Sequence, residues 1–401
     1  MISVFAVEDT AVQVVWRALP APRVTFAVDG RSVTVEPGPP ALLSRAGRAP
    51  GPLRMTRGSV GGPGGVTIDG LRPGTRYQLT MTGAGVSRRP VESFATLEAP
   101  PGPLLTKFAT INDLHLAEPG FGARKRHPIE ESWPLPPGWA PYSWRCTKSA
   151  IDEAIEWGAA ALVVKGDLTA DGAPAEYHEI GELLAAVPVP VIVTLGNHEF
   201  HDLVTDSRPI LARYGIDVPR EPWAHDLPGI RVICGLTPRP GHKSGRIDDR
   251  QRAQLVALAA EAPGPVFLAL HHQLQRWPVP TTYPPGVGAR QAQALLDALV
   301  EANPATLVAG GHTHRHRRRQ HGPIEVVGIG SPKDYPGTWA GYAVHQGGIR
   351  QVVRRTVSPE VIGWTETTAR AVAGVWGQVS PGKRSWRCFT HAWPDREFDR
   401  R

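Results

Sequence analysis

Cysteine is scarce: Cys146, Cys234 and Cys388 are the only three in 401 residues. They are too few and too scattered for a disulfide framework and none stands at a metal-ligand spacing, so a reduced compartment is the simpler expectation. No run of about 18 uncharged apolar residues occurs, which excludes a spanning helix and leaves no membrane partner. Residues Met1 to Thr10 lack the basic region, long apolar region and small-residue cleavage site of a secretory leader, so a cytoplasmic location is expected. Charge of one sign is in small excess: 44 Lys and Arg against 37 Asp and Glu give +7, which suits an anionic substrate without requiring nucleic acid. Glycine (43) and proline (41) are abundant, and they fall between periodic segments, as in a loop-rich fold. The length exceeds what one core usually holds, so two domains are expected.

Residues 1–98 carry no helical period. Val12, Val14 and Trp16 alternate, as do Val24, Phe26 and Val28, then Val66 and Ile68, then Tyr77, Leu79 and Met81. Gly- and Pro-rich turns separate these runs, and the pattern predicts an all-β sandwich. The Pro-rich segment 99–105 reads as a linker. Beyond it, short strand-like runs alternate with helical spacings. Helices are predicted from about Arg145 to Trp157, from Pro174, from Asp248 and over Ala289–Ala302.

Five of the apolar runs end in chemistry-bearing residues. They deliver Asp113-Leu-His115, Gly166-Asp167, Gly196-Asn197-His198-Glu199, His271-His272 and Gly311-His312-Thr-His314. Ligands collect just past the carboxyl ends of strands in such sheets. Carboxylate, imidazole and amide donors together suit Mn, Fe, Zn or similar ions, and histidine can also move a proton. Either His271 or His272 satisfies the spacing.

In this order, the five motifs resemble the calcineurin-like metallophosphoesterase superfamily over roughly residues 106–357. That resemblance implies an α/β fold, a four-layer α-β-β-α sandwich, holding two divalent or mixed-valence metal ions. It implies Asp113, His115, Asp167 and His314 around the first ion, and Asp167, Asn197, His271 and His312 around the second. Asp167 would bridge, and His271 is preferred to His272 because the superfamily's ligand directly follows the strand. His198 would stabilise developing charge or protonate the leaving oxygen, while a metal-bridging hydroxide attacks phosphorus. His201 and Asp202 are read as lying outside the ligand set.

Departures narrow the family. Purple acid phosphatases carry Asp-x-Gly and a tyrosine three residues after the bridging aspartate, where this chain has His115 and Ala170. Protein Ser/Thr phosphatases resemble Gly-Asp-x-Val-Asp-Arg-Gly at the second motif; residues 166–172 lack that arginine. The set looks most like bacterial class III cyclic-nucleotide and glycerophosphodiester phosphodiesterases. The expected substrate is therefore a small anionic phosphodiester or monoester, with a nuclease or a non-catalytic scaffold as alternatives.

The stretch Ile68 to Leu79, with Phe94-Ala-Thr96, resembles a fibronectin type III domain, in which Tyr77 would anchor a strand corner. The sandwich is either a protein-partner module or a packing domain, and packing is preferred. The insertion from Leu116 to Ser143, with Arg124, Arg126, Trp133, Trp139 and Tyr142, is read as overhanging the site or covering core. The Pro-rich stretch between Leu274 and Val287, with Trp277 and Tyr283, is a second wall. The basic run Arg315 to Arg319 is read as a solvated turn. The strands near Ile324–Ile329, Tyr342–His345 and Arg350–Val353 are expected to close the second sheet. Residues 358–401, with Trp364, Trp376, Trp386 and Trp393, form an extension packed on the body.

Overall fold

The computed structural model describes residues 2–36, 61–118, 140–202 and 204–394. Arg124, Arg126, Trp133 and Trp139 lie outside these described residues. Two antiparallel sheets fill residues 2–95. β1 (Ile2–Val7), β2 (Ala11–Trp16) and β5 (Gly64–Asp69) form one. β3 (Val24–Val28), β4 (Arg31–Val35), β6 (Arg76–Gly83) and β7 (Val86–Ala95) form the other, in the order β4-β3-β6-β7. Their inward-facing residues alternate along each strand, and Val14, Trp16, Phe26, Leu79 and Met81 meet in one buried cluster.

Two six-stranded sheets follow. In the first, the parallel strands β8 (Leu104–Ile111), β9 (Leu162–Lys165) and β10 (Val191–Thr194) continue into antiparallel β17 (Thr338–His345), β18 (Gly348–Arg355) and β19 (Cys388–Ala392). The second runs β11 (Trp223–Leu227), β12 (Ile230–Cys234), β13 (Val266–Ala269), β14 (Thr306–Gly310), β16 (Ile324–Gly328), β15 (Arg317–His321), with β12, β13, β14 and β16 parallel.

Alternation along these strands builds the layers. Phe108, Val163, Ile192, Phe267 and Leu307 point between the sheets. There Phe108 stacks on Tyr342 at 5.0 Å and meets Phe267 edge-on at 4.9 Å. Ala109, Ile111, Leu162, Val164 and Val193 point the other way, under α1 (Tyr142–Glu156), α2 (Pro174–Ala185) and α3 (Ser207–Ala212). Leu268 and Val308 pack beneath α4 (Asp249–Ala260) and α5 (Ala289–Ala302). The order is therefore helix, sheet, sheet, helix.

Local chemistry sets the helix bounds. Asp248 caps α4 by accepting the Gln251 N–H at 3.0 Å. Gly158, at φ +95°, ends α1 and donates its N–H to the Ile155 carbonyl. Among the described residues no helix is long and apolar enough to cross a membrane.

Several expectations need correction. Of the three late strands, only β16 joins the second sheet; in the first, β17 pairs with β8 and β18 pairs with β17. Register is set by long-range pairing, which a local pattern does not encode. The basic run is no solvated turn: Arg317 to His321 form edge strand β15. Arg318 pairs with Glu325 at 2.6 Å, and the guanidiniums of Arg315, Arg317 and Arg318 lie over Trp376, Trp386 and Phe389. Tyr142 opens α1 and stacks on Trp364 at 4.3 Å, so this insertion aromatic packs against α6 (Pro359–Thr368) and does not overhang the site.

The sandwich docks against β18 of the first sheet, where Phe5, Ala6 and Val15 pack with Val352 and Cys388. Gln13 donates to the Arg355 carbonyl and accepts its N–H, at 2.8 and 2.9 Å. Buried Glu8 faces both Arg354 and Arg350. Burial raises its carboxyl, but Arg354 and Arg350 override this and hold it below the ordinary 4.5. Replacing Glu8 by Gln strands the Arg354 guanidinium, while Arg350 keeps Asp9, and should cost about 3 kcal/mol in denaturant unfolding near pH 7. Because the folded-state pKa is depressed, that difference should be full above pH 4.5 and shrink as pH falls through the lower folded value. A constant difference down to acid unfolding would disprove the ionic origin.

Candidate metal centre

Each motif residue sits where a strand stops and the chain turns sharply. Asp113, His115, Asp167, His312 and His314 all adopt positive φ, between 44° and 67°. L-residues seldom hold this conformation, and it gathers at functional sites where the surroundings over-determine it. The loops after β9 and β10 approach so closely that a Cβ on Gly196 would stand 2.2 Å from Asp167 Oδ1. Only glycine leaves the carboxylate room there.

The side chains converge from both sheets. Asp167 Oδ1 lies 3.3 Å from His271 Nε2, and Oδ2 lies 3.7 Å from His115 Nε2 and 3.9 Å from His198 Nε2. His271 Nε2 is also 3.3 Å from Asn197 Oδ1 and 3.1 Å from His312 Nδ1. On the other side, His314 Nε2 stands 3.4 Å from Asp113 Oδ1 and 3.2 Å from His115 Nε2. The carboxylate of Asp167 thus touches both groups. Asp113, His115, Asp167, Asn197, His271 and His312 are buried, whereas the His198 side chain keeps 22% exposure.

Ring orientation is fixed from behind. His271 Nδ1 donates to the Lys165 carbonyl at 2.9 Å, His198 Nδ1 donates to the Ala170 carbonyl at 2.5 Å, and His314 Nδ1 meets Asp334 Oδ2. A carbonyl only accepts, so the proton sits on Nδ1 of His271 and His198 and Nε2 is the nitrogen presented inward. His272 differs from His271. Its Nδ1 bonds Thr237 Oγ1 at 2.8 Å and its Nε2 faces the Lys243 carbonyl at 3.2 Å, so both nitrogens are already engaged.

Charge follows the same division. Burial lowers His115 and His312 well below the usual histidine range, with neighbouring positive groups adding to it. Burial also acts on His271 and His314, but Asp167 pushes the first up to about 9, while Asp113 with Asp334 pushes the second up to about 10. Burial opposes ionisation of Asp167, yet His271 and His198 hold it well below the ordinary carboxyl value. These donors fit divalent cations. Asp113, His115 and His314 offer ligand atoms within 4.8 Å of one another, as do Asp113, Asp167 and His271. Buried, like-charged lone pairs at such spacing are stabilised by a cation between them.

Four supporting residues escaped the sequence reading. Glu199, inside the third motif, accepts the backbone N–H groups of Asp167, Leu168, Thr169 and Gly196 at 2.7–3.1 Å. Asn112 donates to Asp113 Oδ2 at 2.6 Å and accepts from the fully buried Lys165 ammonium at 2.5 Å. That ammonium also reaches the Gly310 carbonyl, tying the two sheets together, and burial pushes it down to about 7. Asp334 follows β16 in no recognised motif. Of the residues read as lying outside the set, the His201 ring packs on His198 at 4.1 Å, and Asp202 accepts from Val204 and Thr205 in its own turn.

The calcineurin-like phosphoesterase family model matches residues 106–316. A probable cyclic nucleotide phosphodiesterase of Rhodococcus erythropolis is 35% identical over 161 residues, 38% of this chain and 51% of that protein. The 3',5'-cyclic adenosine monophosphate phosphodiesterase CpdA of Pseudomonas aeruginosa is 26% identical over 167 residues, 41% of this chain and 58% of the relative. The chain therefore spans about half the length of the curated relatives it matches. Among solved structures, a purple acid phosphatase from yellow lupin seeds aligns with a TM-score of 0.44 and 13% identity, over 88% of this chain and 72% of that one.

Glu199→Ala would leave four backbone donors without their acceptor. At roughly 1–3 kcal/mol for each unsatisfied buried group, partly relieved by water, unfolding should lose about 4 kcal/mol. Amide exchange at Asp167, Leu168, Thr169 and Gly196 should accelerate ahead of the rest of the first sheet. Unchanged protection at these four amides would show that the loops stand without the clamp.

Proposed function

The chain belongs to the calcineurin-like phosphoesterase family, and from that premise we propose that it is a dinuclear metal-dependent hydrolase of small phosphodiesters or phosphomonoesters. The convergence of two carboxylates, an amide oxygen and four imidazoles in one cluster, with Asp167 between its two halves, carries this reading. Asp113, His115, Asp167 and His314 would hold one ion, and Asp167, Asn197, His271 and His312 the other. When bound, such ions lower the pKa of water and offset charge on the phosphoryl oxygens.

The chain's own groups do the rest. His198 is the partly exposed imidazole beside the buried set, and its Nδ1 anchor to Ala170 leaves Nε2 to give a proton to the leaving oxygen or to hydrogen-bond the developing charge. The His201 ring, packed on His198, restricts that imidazole's rotation. Asp334 orients His314 and raises its basicity as a ligand. His272, with both nitrogens engaged, supports the ring of His312 at 4.3 Å. The cyclic-nucleotide phosphodiesterase names of two relatives support a small phosphodiester as substrate. The presence of all eight side chains in one cluster supports an enzyme over a scaffold with an impaired site.

We read the N-terminal sandwich as fibronectin type III-like. Its three-plus-four antiparallel strands support this, as does Tyr77, whose hydroxyl accepts the Arg72 N–H at 2.9 Å. Its engagement of Arg350, Arg354 and Arg355 supports a packing role.

Hydrolysis of bis(p-nitrophenyl) phosphate should be stimulated by Mn, vanish in Asp167→Ala and fall on the order of 100-fold or more in His198→Ala. Elemental analysis should find less metal in His271→Ala, whereas His272→Ala should retain the native content. Turnover surviving in both Asp167→Ala and His198→Ala would sink the assignment.

A further inference from the structure

Beside the metal centre lies a cavity of about 190 Å³ that the reaction described above does not use. It opens between the Pro-rich stretch after His272 and the edge strand β15, and its lining includes His272 and Thr313, the chain neighbours of His271 and His312, together with Gly310. Leu270, Leu274, Val308 and Val326 make an apolar floor.

Its charge is one-sided. Arg276, Arg317, Arg318 and Arg319 line it, and no Asp or Glu does. Arg318 is neutralised by Glu325. Among the described residues, none of the other three forms an ion pair: Arg317 donates to the carbonyls of His316 and Val379, and Arg319 to that of Leu274. Burial lowers Arg319, and the neighbouring Arg276 charge lowers it further. Two guanidiniums that repel each other in a half-buried wall are an arrangement an anion would relieve. Thr281 and Thr282 add hydroxyl donors. The volume matches one phosphate-sized group with its attached carbon and not a polymer.

We propose that this cavity is a subsite for a second anionic group of the substrate, so that the preferred phosphoesters carry a further phosphate a short distance from the bond that is cleaved. This rests on the phosphoesterase reading for the cleaved bond, but the recognition itself needs only the arginines. Arg276 and Arg319 are the specificity-determining pair, and the amide chain of Gln273, held by Thr282 and the Pro284 carbonyl, keeps the wall in shape.

The dinucleotides ApA and pApA form a matched pair, since both offer one phosphodiester and only the second adds a terminal phosphate. Native protein should show kcat/KM about tenfold higher for pApA, the difference residing in KM. In Arg276→Gln/Arg319→Gln that ratio should fall to near one. Equilibrium binding to EDTA-treated protein should show the same contrast without turnover. Equal binding of ApA and pApA to the native protein, or a preference for pApA that survives in the double variant, would overturn the subsite. If neither dinucleotide is cleaved while the binding contrast holds, the subsite stands and the hydrolytic reading fails instead.

Discussion

One buried carboxylate, that of Glu199, governs the geometry on which the metal centre depends. It lies under the loops that leave β9 and β10 and gathers four backbone N–H groups that no strand can pair. Burial and the nearby Asp167 charge both push its carboxyl upward, and the donors from Gly196 and Thr169 act against them. Without those donors, Asp167 could not stand 3.3 Å from His271 and within reach of His115 and His198 at once. Backbone strain and side-chain placement are thus one problem. The left-handed φ of Asp167 aims its carboxylate at the centre, and Glu199 compensates the loop that adopts it.

A second tie works between the sheets. Lys165 ends β9 in the first sheet, yet its ammonium reaches the Gly310 carbonyl at the end of β14 in the second, and Asn112 at the end of β8. Asn112 passes this constraint to Asp113, and Asp113 in turn accepts the His312 N–H. Candidate ligands contributed by different sheets are therefore held by a hydrogen-bonded chain as well as by the apolar contact of Phe108, Phe267 and Tyr342 beneath them. A slip between the sheets would break polar bonds in a place without water to replace them, which costs more than loss of apolar contact alone.

Much of this is legible in the sequence. The strand ends are readable because a β-branched run followed by glycine, then by Asp, Asn or His, carries its own punctuation, and α5 takes the span Ala289–Ala302 that its helical spacing predicts, stopping before Asn303-Pro304. Glu199 stands in plain view but its task does not, since three of its four backbone partners, Asp167, Leu168 and Thr169, lie some 30 positions away. Asp334 was silent for a related reason: nothing local distinguishes it, and it matters only because His314 arrives beside it. The sheet membership of β17 and β18 was missed because pairing with β8 spans more than 200 residues and leaves no period in the sequence.

The basic run shows how remote partners reverse a local reading. Five residues of dense positive charge look solvated, because in isolation no cation of a short cluster has a partner. In the fold, residues from the C-terminal extension come up beneath them: Trp376, Trp386 and Phe389 receive three guanidiniums, while Glu325 on the adjoining strand neutralises Arg318. Aromatic faces hold cations without cancelling their charge. Arg317 is thereby fixed in position on the edge of the second sheet, still positive, and Arg319 beside it is held by the Leu274 carbonyl, next to the loop that carries the paired histidines. A carboxylate partner would have given more stability and removed the field; aromatic support keeps the field, and that difference makes this edge of the sheet suited to meet an anion.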